Sequence, residues 1–163
     1  MFDPVICDLL QNPSRPDEWD GPWSVILTTL FSASQGYFLA PKKRRITGGS
    51  HLVMEVQKFP TTLTLPLRTV LVIEIRDAPH WPASIPAQEA QIKRHIDAAF
   101  AGTEASRARS KVYWISAFGP HWRYGFKDDD GQDLAPLIEW HHTVHDQDSY
   151  QDLQDLVNLL APL

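Results

Sequence analysis

A glutamate and an arginine two residues apart, Glu74 and Arg76, lie inside TVLVIEIRDAPHW (69–81), the most strand-like stretch of the chain. Residues two apart in a strand share a face. An acid and a fixed cation would therefore project together from an otherwise apolar element. His51 and Glu55 share a face of the preceding strand-like stretch, HLVMEVQKF (51–59). If those two strands are neighbours, four polar groups converge on one patch. Gln88, Gln91 and His95, at spacings of three and four, form one stripe of a helix that follows. The bland counterpart is a structural ion pair, in which an arginine satisfies a buried acid.

The elements that must position these groups are legible from pattern. Residues 12–22, NPSRPDEWDGP, read as a turn-rich lead-in. PWSVILTTLFSASQ starts a helix at Pro22, with Trp23, Ile26, Leu27, Leu30 and Phe31 at helical spacing, and Gly36 ends it. YFLAPKKRR reads as a short strand broken at Pro41, Gly48-Gly49 as a turn, 51–59 as a strand, and TTLTLPL as an extended edge or connection. Residues 69–76 are apolar on both faces, which predicts a central strand buried on both. PAQEAQIKRHIDAAFAG predicts a helix from Pro86 to the stop at Gly102, and SRARS a polar loop. KVYWISAF and HWRYGF predict a strand pair around Gly119-Pro120, followed by an acidic turn at KDDDGQD. LIEWHHTV predicts a last strand. DSYQDLQDLVNLLAPL predicts a last helix, capped by Ser149 or Asp148, with Leu153, Leu156, Val157 and Leu160 as its buried stripe. This order predicts an α/β fold, a mixed central sheet flanked by helices, in one domain over 1–163 with 1–21 as lead-in and 22–163 as core.

Composition narrows the partners. The 163 residues carry a net charge of −5 and a single cysteine, Cys7. That excludes an internal disulfide and a zinc site built on several thiolates, and argues against strong non-specific nucleic-acid binding. No apolar run approaches the roughly 20 residues that span a bilayer. MFDPVICDLL has no basic n-region, so no secretory signal is expected, and a cytoplasmic or nuclear protein is the simplest reading. The one dense basic run, Lys42-Lys43-Arg44-Arg45, is either a phosphate-contacting segment or a solvated loop. His141 and His142 would point to opposite faces of a strand, whereas His142 and His145 could share a metal with Asp146 or Asp148, a weak signal. Tyr113, Trp114, Trp122, Tyr124 and Phe126 read as core rather than as a base-stacking platform.

Glu74-Ile75-Arg76 on a strand and Gln91 on the helix after it resemble the PD-(D/E)xK nuclease fold of restriction endonucleases, whose acidic residue on the preceding strand would fall near Gly48-Gly49-Ser50-His51. The stretch KVYWISAFGPHWRYGF resembles the two strands that usually complete that sheet. The combination VLVIEIR…AQI…VYWISAFGPHW also resembles a group of small uncharacterised intracellular proteins of mushroom-forming fungi. The resemblance spans roughly residues 22–160. It implies phosphodiester hydrolysis with Mg²⁺ or Mn²⁺ held by two carboxylates and a lysine beside them. The chain departs from that pattern twice. Ser50-His51 stands in the aspartate slot, and Arg76 stands for the lysine; arginine stabilises charge but cannot serve as a base. The expectation is a degenerate, non-cleaving nuclease-fold module that binds protein or nucleic acid. The alternative is a divalent-metal-dependent nuclease or phosphodiesterase with a rearranged site: Glu74 as metal ligand, His51 or Glu55 as second ligand, Arg76 as charge stabiliser and Gln91 as orienting group. A small-molecule carboxylate site on Arg76 is a third reading.

Overall fold

The structure is a computed structural model and describes residues 2–11, 19–43, 51–59, 67–101 and 111–163. The expected turn at Gly48-Gly49, the SRARS loop and all of TTLTLPL but Leu67 lie outside these residues. In chain order the elements are α1 (Pro4–Gln11), α2 (Asp20–Leu30), β1 (Tyr37–Lys43), β2 (His51–Lys58), β3 (Arg68–Arg76), α3 (Ile85–Ala101), β4 (Lys111–Phe118), β5 (His121–Asp128), β6 (Ala135–Pro136) and α4 (Gln147–Leu160). The strands form one six-stranded sheet in the order β1-β2-β3-β4-β5-β6. Every neighbouring pair is antiparallel except β3 and β4, which run parallel. A parallel pair needs a crossover connection, and α3 is part of it.

The two faces of the sheet are buried differently. On one, Leu71, Ile73, Ile75, Ile115 and Trp122 join Trp23, Ile26 and Leu27 of α2 and Leu153, Leu156 and Leu160 of α4 in the main core. On the other, Val72, Val112 and Trp114 pack with Ile92 and Ile96 of α3 in a smaller cluster. β3 is covered on both faces, which accounts for its nearly continuous apolar run. The mixed α/β sheet expected from the element order is what forms.

Five local expectations need correction. The helix expected from Pro22 to a stop at Gly36 runs Asp20–Leu30, and Gly36 instead caps the short 3-10 turn Ala33–Gln35. The N-terminal segment is not plain lead-in: it contains α1, and Phe2, Leu10 and Trp19 are buried in the main core. β1 does not stop at Pro41 but runs to Lys43, because an edge strand tolerates a residue without an N–H. LIEWHHTV is not a strand. Beyond the two-residue β6, the chain touches β5 only at points, through Leu137 N–H to Tyr124 O at 2.9 Å and the reciprocal pair Trp122–His141 at 3.1 and 2.8 Å. The cap of α4 is Asp146, whose Oδ1 accepts from the Ser149 N–H at 2.8 Å, the geometry of an N-cap to the third helical residue. Gly125 marks where β6 crosses closest to the sheet: a Cβ there would stand 2.1 Å from Ala135 O and 2.6 Å from the Trp114 ring.

The core aromatics carry a pH signature. Burial, then the nearby carboxylates of Asp152 and Asp155, push the Tyr124 phenol up to about 12. Burial also raises Tyr37 and Tyr113. A folded-state value above the unfolded one, about 10, means stability that is intact below pH ~10 and lost as pH rises through the folded value. Alkaline titration followed by near-ultraviolet absorbance should show late phenolate formation in the native protein. Tyr124→Phe should remove the latest step. Native titration of these three phenols near pH ~10 would contradict the burial described here.

Candidate functional site

Cross-strand register sorts the polar residues of the α3 face into rows. The row at the end of the sheet reads His51, Arg76, Phe118, His121. The next reads Lys42, Val53, Glu74, Ser116, Arg123, and the third Ala40, Glu55, Val72, Trp114, Gly125. Successive rows are about 7 Å apart, two residues of strand.

Glu74 is fully buried, while the Arg76 side chain, at the strand end, keeps 18 % of its surface exposed. Two residues apart on one face, they meet directly. Arg76 Nε and Nη2 donate to Glu74 Oε1 at 3.0 and 2.8 Å, and Nη2 also donates to Gln91 Oε1 at 3.0 Å. Gln88, one turn earlier in α3, is also buried. Its Nε2 donates to Glu74 O at 2.9 Å and to Ala117 O at 3.1 Å, and its Oε1 accepts from Ser116 Oγ. Both glutamines thus turn inward, and Gln88 grips the two parallel strands at once. Sequence reasoning saw the Gln88–Gln91 stripe but gave no role to Gln88. The available signal was its position one turn before Gln91 on the face that holds Ile92.

Glu55 goes elsewhere. It is buried one row deeper than Glu74, opposite Val72. A register shift between Val56 and Gln57 brings Thr69 onto its side of the sheet. Glu55 then accepts from Thr69 Oγ1 at 3.2 Å and Gln57 Nε2 at 3.3 Å, and pairs with Lys42, whose own side chain is 53 % exposed. The two carboxylates therefore each hold their own cation. His51 sits opposite Arg76 in the ladder, beside the Glu74 row. Its side chain, like those of Lys43, Arg44 and Arg45, lies outside the described set.

The structure brings Glu74 and Arg76 together, as their spacing suggested, adds Gln91 to them, and gives Glu55 a separate ion pair. A hard divalent ion wants several oxygen ligands in near-octahedral array. Here the guanidinium already occupies Glu74 Oε1, and no group of three or more His, Cys, Asp or Glu able to hold a metal exists among the described residues. The described residues do not fit an ordinary Mg²⁺ site.

The histidines near the C-terminus also sort differently from expectation. His142 and His145 lie in the loop 137–146 rather than on a strand, and they have different partners. His141 stacks on Trp122 and bonds Asp152 at 2.6 Å; His145 Nδ1 lies 2.7 Å from Thr143 Oγ1. His142 meets His121. Trp114, Trp122, Tyr113 and Tyr124 are buried and Phe126 packs against them, as core aromatics. Arg123 was not anticipated: it pairs with Glu89 of α3 and lies over the Trp140 ring at 4.9 Å. No helix among the described residues is long and apolar enough to cross a membrane. Comparison of the chain with protein-family models, curated proteins and solved structures gave no match.

Proposed function

We propose that this chain is a degenerate PD-(D/E)xK-type module that binds a macromolecular partner without cleaving it. The observation that carries the reading is the Arg76 guanidinium, bound through two nitrogens to Glu74 Oε1 and tied to Gln91. It supplies a permanent positive charge at the carboxylate where the nuclease family would hold a metal, and arginine has no proton to give up near neutral pH. The element order supports the fold part of the reading. A helix precedes β1 to β3, the acid and its cation share β3, α3 delivers the glutamine, and the β4–β5 pair completes the sheet. The partner is nucleic acid, contacted by Lys42, Lys43, Arg44 and Arg45, or a protein. Salt dependence separates the two, since phosphate contacts release counterions.

The test is titration calorimetry with Mg²⁺ and Mn²⁺ on wild type and Glu74→Gln, followed by cleavage assays on single- and double-stranded DNA and RNA. The expected result is no metal binding that depends on Glu74 and no cleavage. Metal-dependent cleavage that Glu74→Gln abolishes would overturn it in favour of a rearranged nuclease or phosphodiesterase. His51, opposite Arg76 in register, would then be the first candidate for the second ligand.

A further inference from the structure

The imidazoles of His121 and His142 meet Nδ1 to Nδ1 at 3.3 Å. Their ring centroids are 5.4 Å apart, with the planes nearly perpendicular at 81°. The fold fixes both ends of this contact. His121 opens β5 directly after the Gly119-Pro120 turn. His142 follows His141, which is held to Trp122 by the reciprocal backbone pair at 3.1 and 2.8 Å. Trp81 packs on both rings, stacked on His121 at 4.6 Å and edge-on to His142 at 5.8 Å. The buried indole N–H of Trp81 finds no acceptor among the described residues.

A hydrogen bond between two neutral Nδ1 atoms requires one ring to keep its proton there. The same spacing suits a different bridge. Two nitrogens bound at about 2.0–2.1 Å to a tetrahedral zinc ion stand roughly 3.3 Å apart. A square-planar ion would want them nearer, at about 2.9 Å. We infer that His121 and His142 form a two-imidazole site for a borderline divalent transition-metal ion, best matched to Zn²⁺, with the remaining positions open to water or to a donor on a partner.

On binding, the ring that holds its proton on Nδ1 carries it on Nε2 instead. Both Nδ1 lone pairs then face the ion, and the neutral pair loses no net proton. His142 is exposed, which leaves the pair open to solvent, while the stacked Trp81 holds His121. The ligands are nitrogen rather than oxygen, which suits a borderline transition-metal ion better than Mg²⁺.

The test uses the full chain, titrated with Zn²⁺ by calorimetry, in wild type and in His121→Ala, His142→Ala and His145→Ala. Wild type should bind Zn²⁺, and His121→Ala and His142→Ala should each weaken it at least tenfold. His145→Ala should match wild type, because His145 Nδ1 is engaged with Thr143. Since His142 is exposed, circular dichroism should find the His142→Ala fold unchanged. Co²⁺ gives a second readout: the visible absorption of a tetrahedral ion, present in wild type and lost in His142→Ala. No Zn²⁺ binding by wild type, or equal affinity in His142→Ala, would overturn the assignment. A His142→Ala protein that melts lower yet binds Zn²⁺ as before would make the pair a fastening between loop and strand and nothing more.

Discussion

Arg76→Met should destabilise the protein by about 3–5 kcal/mol, the usual consequence of stripping one partner from a buried ion pair. Glu74 has no exposed surface, and Arg76 supplies two hydrogen bonds to its Oε1. Methionine keeps most of the aliphatic stem but removes the charge, and it also deprives Gln91 Oε1 of its donor. The double variant Glu74→Gln/Arg76→Met should recover much of the loss, since replacing both charges removes the uncompensated one. Urea unfolding of the four proteins closes the cycle. A loss below about 1 kcal/mol for Arg76→Met would mean the pair behaves as a solvated surface bridge, and the structural account of Glu74 would fail.

Gln88→Met should cost on the order of 3 kcal/mol, from stranded polar groups rather than lost volume. Gln88 is fully buried, and its one amide serves three partners on two strands: Glu74 O, Ala117 O and the Ser116 hydroxyl. Methionine fills the space and offers none of those bonds. Adding Ser116→Ala should return part of the loss by removing one stranded hydroxyl. If Gln88→Met unfolds at the wild-type denaturant midpoint, the clamp has no energetic role. The two variants should also separate in kind. Arg76→Met removes the cation that occupies Glu74, whereas Gln88→Met removes the clamp between β3 and β4.

How much of this was legible depended on how local the cause was. β3, β4 and β5 follow from short runs of aliphatic and aromatic residues, and their bounds fall within about one residue or two of expectation. Glu74 and Arg76 were legible together because one spacing decides them, two residues in a strand, whereas Gln91 was singled out by the family resemblance rather than by spacing. Glu55 was not legible. Its partner choice depends on a register shift at Val56/Gln57 that brings in Thr69, and no periodicity announces a bulge. The strand expected at 137–144 failed for a related reason. Trp140 and Val144 look strand-like, yet a strand exists only if a neighbour offers a free ladder, and β5 pairs with β6 at Ala135–Pro136 and then only at scattered points. α1 was missed because eight residues with Pro4 at the start give little periodicity, and what makes that helix is the packing of Phe2 and Leu10 into the main core. The His121–His142 contact joins a strand to a loop twenty-one positions away. Spacing rules for a single element cannot see it.

The lone parallel pairing has a consequence for how the chain assembles. β1–β2–β3 and β4–β5–β6 are each antiparallel triplets, closed by neighbours in sequence. The join between them must wait for residues 77–110 to loop back, and loop-closure entropy grows with the logarithm of that length. The sheet is thus two locally formed halves with one long-range seam. Gln88 and Gln91 stand on the helix that crosses that seam, and Glu74 and Ser116 line its two sides. The Arg76 bonds to Glu74 and Gln91 lie on one side of that seam, within β3 and α3, whereas the Gln88 bonds to Ala117 O and Ser116 Oγ span it and exist only where the two halves are joined.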